Sequence, residues 1–553
     1  MKLPNKNYVY IALLALITLI FTVIFGNYFP MPFVDIGREV LVPQMMLEGD
    51  LIYRDILNIY GAMPYYALAI FYKLFGVNLM AFLSFNAINA FLILCGIYLL
   101  SCEFLSKDKS FILALCTSYL TMTTAALYSF IRPYSICFTV ALCAFIFSVL
   151  FLVKFLKKEK DIFLYFSLIL AGFVFATKND LCLLIVAIFF TLVLYKKLTL
   201  KRFCLGTLAF LFFSIVQYQI LLINGLKFDD LIFAMTTILK SAIVPSMTRF
   251  HRTIGMLPVN DFSYTKILST IYLIIFILIG KFLILKQDRK IAKIGYIVFA
   301  ILVILFTLIS SLRRIFWPLP IFTTILIILN FKQLYKKPQL LFLGLCAIVA
   351  SLKTYFSLMF SCYGGYTIIL LAIFLLSYTA WKNKLYAKKI ATMILIMFTL
   401  IFAIDVYSFC NIKLEKYKFE NYEIKLLPND YIIFEAVASW INKNTQKTDK
   451  ILIYPEGEMI NFVTKRKTHP MLYNLHDINI ETFGLDYIQK EMSKMDYIID
   501  VSDLQFCGSA LSELTYNTPL LHNLSKKDFK PIFAIPFYST KEGHGTIKIY
   551  KHL

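Results

Sequence analysis

Charge is scarce in this chain, and negative charge scarcest: 33 Asp and Glu stand against 55 Lys and Arg, and all four types together make only 16% of 553 residues. Glycine is sparse (20), tryptophan sparser (3), and the 11 cysteines form no CxxC pair or other metal-ligand spacing. The shortage of charge excludes a soluble chain of this length, which could not cover 59% hydrophobic residues with so little polar surface. The missing Cys spacing excludes a zinc ribbon or a thioredoxin-like centre. It leaves Cys95, Cys116, Cys143, Cys182 and Cys346, all inside apolar runs, as small core residues. No internal repeat is present, which argues against a transporter of inverted repeats with Gly- and Pro-broken spans. The net charge of +22 is explained by Lys and Arg collecting in cytoplasmic loops, so no nucleic-acid partner is expected.

Long hydrophobic runs are what the chain has instead, with a mean hydropathy of +0.74. The runs predict an all-α polytopic membrane bundle of about thirteen spans. They fall at 8–25, 77–104, 111–131, 134–155, 162–177, 181–195, 203–223, 267–285, 294–311, 315–331, 340–360, 366–381 and 390–409. The first run lacks a small-x-small cleavage site and is expected to stay as an anchor. Lysines and arginines cluster in every second connection, among them Lys107 and Lys109, Lys157 and Lys158, Lys196 and Lys197, Lys336 and Lys337, and Lys382 and Lys384. This alternation predicts a cytoplasmic N-terminus and a chain that ends outside, in a bacterial inner (plasma) membrane.

Three polar segments then lie on the outer side: a first loop at 29–76, a connection at 224–266, and a tail at 411–553. The connection holds an amphipathic stretch at 228–239 that suits a helix lying on the membrane surface. The tail alternates strand-like runs (451–454, 497–501, 531–536, 546–550) with helical ones (430–442, 481–495). This pattern predicts a small α/β extracytoplasmic domain beside the membrane domain of 1–410.

The first loop is the unusual part. Between two apolar spans it carries Asp35, Glu39, Glu48, Asp50 and Asp55 together with Arg38 and Arg54. Charges there must face water or a cavity, because hydrocarbon makes each very costly. On the same side the spans add Arg132, Lys178, Arg313, Arg314 and Lys353, which are candidate contacts to the phosphate of a lipid donor. Arg54, Asp55, Arg249, His251 and Arg252 are further candidate substrate contacts. Acid and base of both signs around one cavity suit a phosphate-bearing lipid whose head reaches a carboxylate. Cations would hold the charge that develops on the phosphate, and Asp35 would take a proton as general base. Glu39, one turn later, would orient Asp35 or the acceptor. The plainer readings are a helix N-cap for Asp35, an ion pair for Glu39, turn residues at Asp50 and Asp55, and snorkelling anchors for Arg132 and Lys178.

Asp35, Arg38-Glu39, Gly49-Asp50, Tyr53-Arg54-Asp55, Tyr60-Gly61-x-x-Pro64 and Leu74-Phe75-Gly76 together resemble the first loop of the C-type (GT-C) glycosyltransferase superfamily. The likeness is to bacterial relatives of protein O-mannosyltransferases and aminoarabinose transferases. Arg132-Pro133-Tyr134 and 314–320 resemble later parts of the same layout. The resemblance implies a catalytic aspartate at Asp35 and a polyprenyl-phosphate sugar as donor. The acceptor would be a glycan, a lipid or a protein on the extracytoplasmic side, within a membrane-lipid environment. Some such families place a second acid between the third and fourth spans. Here Arg132-Pro133-Tyr134-Ser135 stands in its place, so a metal-free, cofactor-free mechanism is expected. The alternatives are a transporter or flippase of the lipid-linked sugar, or a polymerase or ligase of surface polysaccharide. The tail, with Trp440-Ile441-Asn442 and Ile453-Tyr454-Pro455-Glu456-Gly457, resembles the outer domains of some bacterial members and would serve as an acceptor platform or a packing cap.

Overall fold

A computed structural model describes residues 5–29, 32–33, 35–122, 129–178, 181–253, 271, 274, 319–356, 365–382, 407, 410–502, 528–539 and 543–553. Side chains are described for all of these except 120, 251–253, 319, 352–356, 365–368, 537–539 and 543–544. Apart from residues 271, 274 and 407, the spans expected at 267–285, 294–311 and 390–409, along with Arg313 and Arg314, lie outside the described residues.

Among the described residues, four helices are long and apolar enough to cross a membrane: α1 (Lys6–Phe25), α4 (Leu79–Cys102), α6 (Ile136–Lys158) and α9 (Leu200–Ile223). Shorter apolar helices fill the bundle: α5 (Lys107–Met122), α7 (Asp161–Thr177), α8 (Leu184–Leu194), α12 (Leu319–Leu329), α14 (Pro338–Phe356) and α15 (Gly365–Lys382). A single turn, α13 (Phe331–Leu334), links two of them. The chain is a membrane protein. Its spans read as continuous apolar runs with little sidedness because they face lipid on one flank and helices on the other. On α1 the lipid-facing Leu16, Leu19 and Val23 are exposed, while Leu14 and Phe25 are buried.

The first loop is not irregular throughout. It folds into α2 (Ile36–Leu47) and α3 (Met63–Phe75), and the second of these was not foreseen as a separate helix. Of the helix 111–131 expected from hydropathy, the described part runs to Met122, and 129–135 is non-helical. Beyond α9 the amphipathic stretch forms α10 (Phe228–Ser241), followed by α11 (Pro245–Thr253).

The tail opens with a hairpin that periodicity had not disclosed, β1 (Glu415–Phe419) and β2 (Tyr422–Leu426), followed by α16 (Pro428–Asn444). The strands β3 (Ile451–Tyr454), β4 (Tyr497–Asp500), β5 (Phe529–Ser539) and β6 (Gly543–His552) then form one sheet in the order β3-β4-β6-β5. β3 and β4 are parallel and the other pairs antiparallel. Between β3 and β4 run α17 (Glu458–Thr464), α18 (Asp477–Phe483) and α19 (Leu485–Met492). The single helix expected at 481–495 is therefore broken, at Gly484.

Strand alternation explains why the inner strands are buried on both faces. Ile451, Ile453, Ile499 and Ile549 point into a core continuous with the bundle, through Phe434 and the first-loop residues Phe33 and Ile36. Leu452, Tyr454, Ile498 and Tyr550 point the other way, into a smaller cluster with Leu475 and Ile488. The tail is thus seated on the first loop and shares a core with it.

The two ends of the bundle differ in kind. At one end Lys6 pairs with Asp108 (3.2 Å), Lys157 with Glu103 (2.7 Å) and Arg202 with Asp161 (2.8 Å), among the basic connections. At the other, the Phe29 N–H donates to the Lys425 carbonyl (2.9 Å), and Lys467 pairs with Glu48 (3.3 Å). There too the Ser246 hydroxyl donates to Glu481 (2.7 Å). The first loop, α10–α11 and the tail therefore share one end.

Candidate active site

Asp35 stands at the N-cap position of α2 but caps nothing: its side chain makes no bond to the first-turn amides, and its φ is +48°. The plain capping reading fails. The carboxylate instead accepts from Nη1 of Arg38 at 2.9 Å, one turn on. The same guanidinium donates from Nε to Glu39 Oε1 (2.9 Å) and from Nη2 to the carbonyl of Tyr134 (2.9 Å). Arg38 thus ties the two acids of α2 to the entrance of α6.

The two acids differ in access. The Asp35 side chain is 28% exposed and that of Glu39 is 0% exposed. Glu39 is enclosed by Arg38, by the Tyr65 hydroxyl donating at 3.1 Å, and by the Ile136 N–H donating at 2.8 Å. Burial raises the pKa of both carboxyls, and Arg38 opposes the rise. Burial works against the Arg38 charge, yet Asp35 and Glu39 hold that guanidinium protonated well above its usual range.

A second cation joins through an aromatic ring. Gly61 presses against the end of α7: its N–H donates to the Thr177 carbonyl at 3.1 Å, and a Cβ there would lie 1.8 Å from the Ala176 carbonyl oxygen. Only glycine permits that approach. It sets Tyr60 beside Lys178, whose Nζ lies 3.9 Å from the ring centre, while the Arg38 guanidinium lies 5.6 Å from the same ring. Lys178 is 4% exposed and sits at the C-terminal cap of α7.

The tail closes the other side. Residue 37 must be glycine for α17 to dock on α2, since a Cβ there would meet the Met459 N at 2.5 Å and Glu458 Cβ at 3.0 Å. Glu456, Glu458 and His476 are buried, and Nε2 of His476 is 2.7 Å from Glu456 Oε1. The charges of Glu456 and His476 act on Asp35, and those of Asp35 and Arg38 act on Glu458. Burial, and then Glu456, push the Glu458 carboxyl well above the ordinary range.

The other residues singled out in the sequence lie elsewhere. Arg132 is buried, donates to the Tyr28 carbonyl and lies over the Tyr28 ring at 5.3 Å. Arg54 and Asp55 pair with each other at 2.6 Å, and Asp55 also accepts the Leu51 N–H, as a turn residue does. Arg249 reaches the tail, 3.5 Å from Asp477 and 3.7 Å from Glu481. His251, Arg252 and Lys353 have backbones in α11 and α14, and their side chains lie outside the described set. Of the named candidates, Asp35, Glu39 and Lys178 come together. Arg38, Tyr60, Tyr65, Glu456, Glu458 and His476 were missed as site residues, Arg38 having been noted only as a charge of the first loop. The Tyr60-Gly61 pair was a visible signal, whereas nothing local marks the tail's acids as neighbours of Asp35.

Chemically, the cluster offers one partly open carboxylate beside two largely buried cations. It can take up a proton while an anion is held alongside. Among the described residues, no group of three or more His, Cys, Asp or Glu is placed to hold a metal ion.

Residues 61–218 match the family described as dolichyl-phosphate-mannose-protein mannosyltransferase. The match runs from Gly61 through most of α9 and leaves Asp35 just outside. The structure is similar to the Archaeoglobus fulgidus oligosaccharyltransferase in complex with Zn and sulfate, with a TM-score of 0.51 at 14% identity over 98% of this chain and 73% of that one. The archaeal oligosaccharyltransferase AglB from Archaeoglobus fulgidus, in complex with an inhibitory peptide and a dolichol-phosphate, gives 0.48 at 12% identity over 99% and 74%. ArnT from Cupriavidus metallidurans bound to undecaprenyl phosphate gives 0.45 at 12% over 98% and 97%. No curated protein matches the chain in sequence. Over residues 61–218, then, the chain is similar to the dolichyl-phosphate-mannose-protein mannosyltransferase family, and its fold is similar to that of the archaeal oligosaccharyltransferase.

Proposed function

We propose that the chain is an integral membrane glycosyltransferase that moves a sugar from a polyprenyl-phosphate donor to a hydroxyl-bearing acceptor, with Asp35 as general base. The carrying observation is the partly open Asp35 carboxylate, held by Arg38 and not spent on capping, with Lys178 on the Tyr60 ring that Arg38 also approaches. The acceptor oxygen attacks the anomeric carbon from the face opposite the phosphate, and the bond from that carbon to the phosphate oxygen breaks. The acceptor proton passes to Asp35, and the configuration inverts. The leaving phosphate gains charge as the bond breaks, and Lys178 with Arg38 is where that charge is met. Glu39 touches no substrate in this scheme. It is a positioning residue that fixes Arg38, which in turn fixes Asp35.

The positive-inside pattern supports placing the first loop, α10–α11 and the tail outside the cytoplasm, in a bacterial inner membrane. The boundary near residue 410 separates the span bundle from the part that covers the site. The test is turnover of polyprenyl-phosphate sugars by the purified protein and by Asp35→Asn; equal rates would remove Asp35 as the base.

A further inference from the structure

At the end of the bundle away from Asp35, a cavity of ≈ 420 Å³ opens between the ends of five helices. Its charged lining is Glu103, Lys109, Lys157 and Lys337; Ser106, Gln339 and the buried Ser377 add polar groups, and Trp381 lies beside them. The site is far from the sugar chemistry. The 23-residue α6 has Ile136 against Glu39 at one end and Lys157 in the cavity wall at the other, a separation of about 32 Å along the helix.

The charges there do not cancel. Lys157 is engaged by Glu103, donating to its carbonyl (2.6 Å) and its carboxylate (2.7 Å). Lys109 and Lys337 face the same space, and no carboxylate among the described residues pairs with either. The Ser377 hydroxyl is buried in this wall with no hydrogen-bond partner, which is costly unless something outside the chain completes it. Two unpaired ammonium groups and an orphan hydroxyl are a donor set for a phosphate. Leu105 and Leu340 give the cavity an apolar wall, so that a ligand held by its phosphate can run on along hydrocarbon. The volume falls within the roughly 300–1,000 Å³ typical of ligand sites.

We propose that this cavity binds the phosphate headgroup of an anionic phospholipid, with Lys109 and Lys337 holding the charge, the Ser377 hydroxyl donating to a phosphate oxygen, and Trp381 at the rim. A soluble phosphate compound shares the recognition chemistry. The lipid is favoured because the cavity lies at the ends of membrane-spanning helices and is walled by leucine.

The experiment measures thermal unfolding of the full-length protein in a neutral detergent, titrated with phosphatidylglycerol, phosphatidylcholine or inorganic phosphate. Phosphatidylglycerol should raise the unfolding temperature, and phosphatidylcholine should do so far less. Lys109→Gln with Lys337→Gln should weaken the apparent phosphatidylglycerol affinity roughly tenfold, and Ser377→Ala should weaken it less. The control is Lys160→Gln with Lys201→Gln, two lysines at the same end that do not line the cavity. If the control pair lowers the response as much, bulk charge is the cause and the site is refuted. An equal response to both lipids also refutes it. Inorganic phosphate matching phosphatidylglycerol would overturn the lipid assignment in favour of a soluble ligand. Should the double variant fail to fold, Lys337→Gln alone, at an exposed position, carries the same comparison.

Discussion

The ammonium of Lys178 stands 3.9 Å from the centre of the Tyr60 ring, on which the Arg38 guanidinium also converges at 5.6 Å. Two cations from distant parts of the chain are gathered by one aromatic side chain. Their mutual repulsion is offset by the ring's negative face and by the two carboxylates of α2. The arrangement leaves a concentrated positive charge next to an accessible acid.

Lys178→Ala should weaken binding of a polyprenyl-phosphate sugar by about 2–4 kcal/mol, the scale of a desolvated charge contact. Tyr60→Leu should have a smaller effect in the same direction, because the lysine keeps its charge but loses the ring that positions it. Equilibrium binding of a labelled donor measures both. Unchanged affinity in Lys178→Ala would place the donor phosphate elsewhere.

Asp35→Asn should lower turnover by roughly two to four orders of magnitude, the usual range for loss of a general base, with the fold retained. The partly open position of the side chain makes the isosteric change tolerable. Single-turnover kinetics with thermal unfolding as a control separates the two effects.

Turnover should fall at low pH with an acid limb above the ordinary aspartate value of 3.8. Burial raises the Asp35 pKa, and the base works only when ionised. The negative charge of Glu456 also raises it, so Glu456→Gln should move the limb to lower pH. A limb that stays put in that variant would show that Glu456 does not act on the titrating group.

Glu39→Ala should destabilise the protein by about 3–5 kcal/mol, because it strips the buried Arg38 of a carboxylate and leaves the Ile136 N–H and the Tyr65 hydroxyl without their acceptor. Glu39→Gln keeps the shape and should cost less. Denaturation midpoints in detergent decide this. A midpoint for Glu39→Ala equal to that of the parent would mean the network carries no stability.

Gly37→Val should loosen the tail from the first loop, since a Cβ at that position lies 2.5 Å from the Met459 backbone nitrogen. Amide exchange should then speed up across 458–464 while the α6 helix stays protected. Equal exchange in both proteins would show that the α2–α17 contact yields without cost.

The apolar helices of the bundle, the gathering of basic connections and the four sheet strands of the tail were written in local composition. Apolar runs of span length, lysines in alternate loops and β-branched clusters such as Ile451-Leu452-Ile453 each report their own surroundings. Asp35 and Glu39 were visible as acids in a setting where hydrocarbon forbids charge. The division of labour between them was not: adjacent on one helix and alike in chemistry, they differ only in what packs on them, a matter of α3 and α6 meeting α2. Lys178 drew notice as a cation at a span end, yet its partner Tyr60 is fixed by the contact of Gly61 with α7, which no periodicity reports. Glu456, Glu458 and His476 lie in a segment whose own pattern is that of a loop and a short helix. Docking of the tail onto Gly37 alone brings them to Asp35. A hydrophobic pattern records which face of a segment is buried and never what buries it, so the sequence determined the elements and their sidedness, and the close packing of remote elements decided the site.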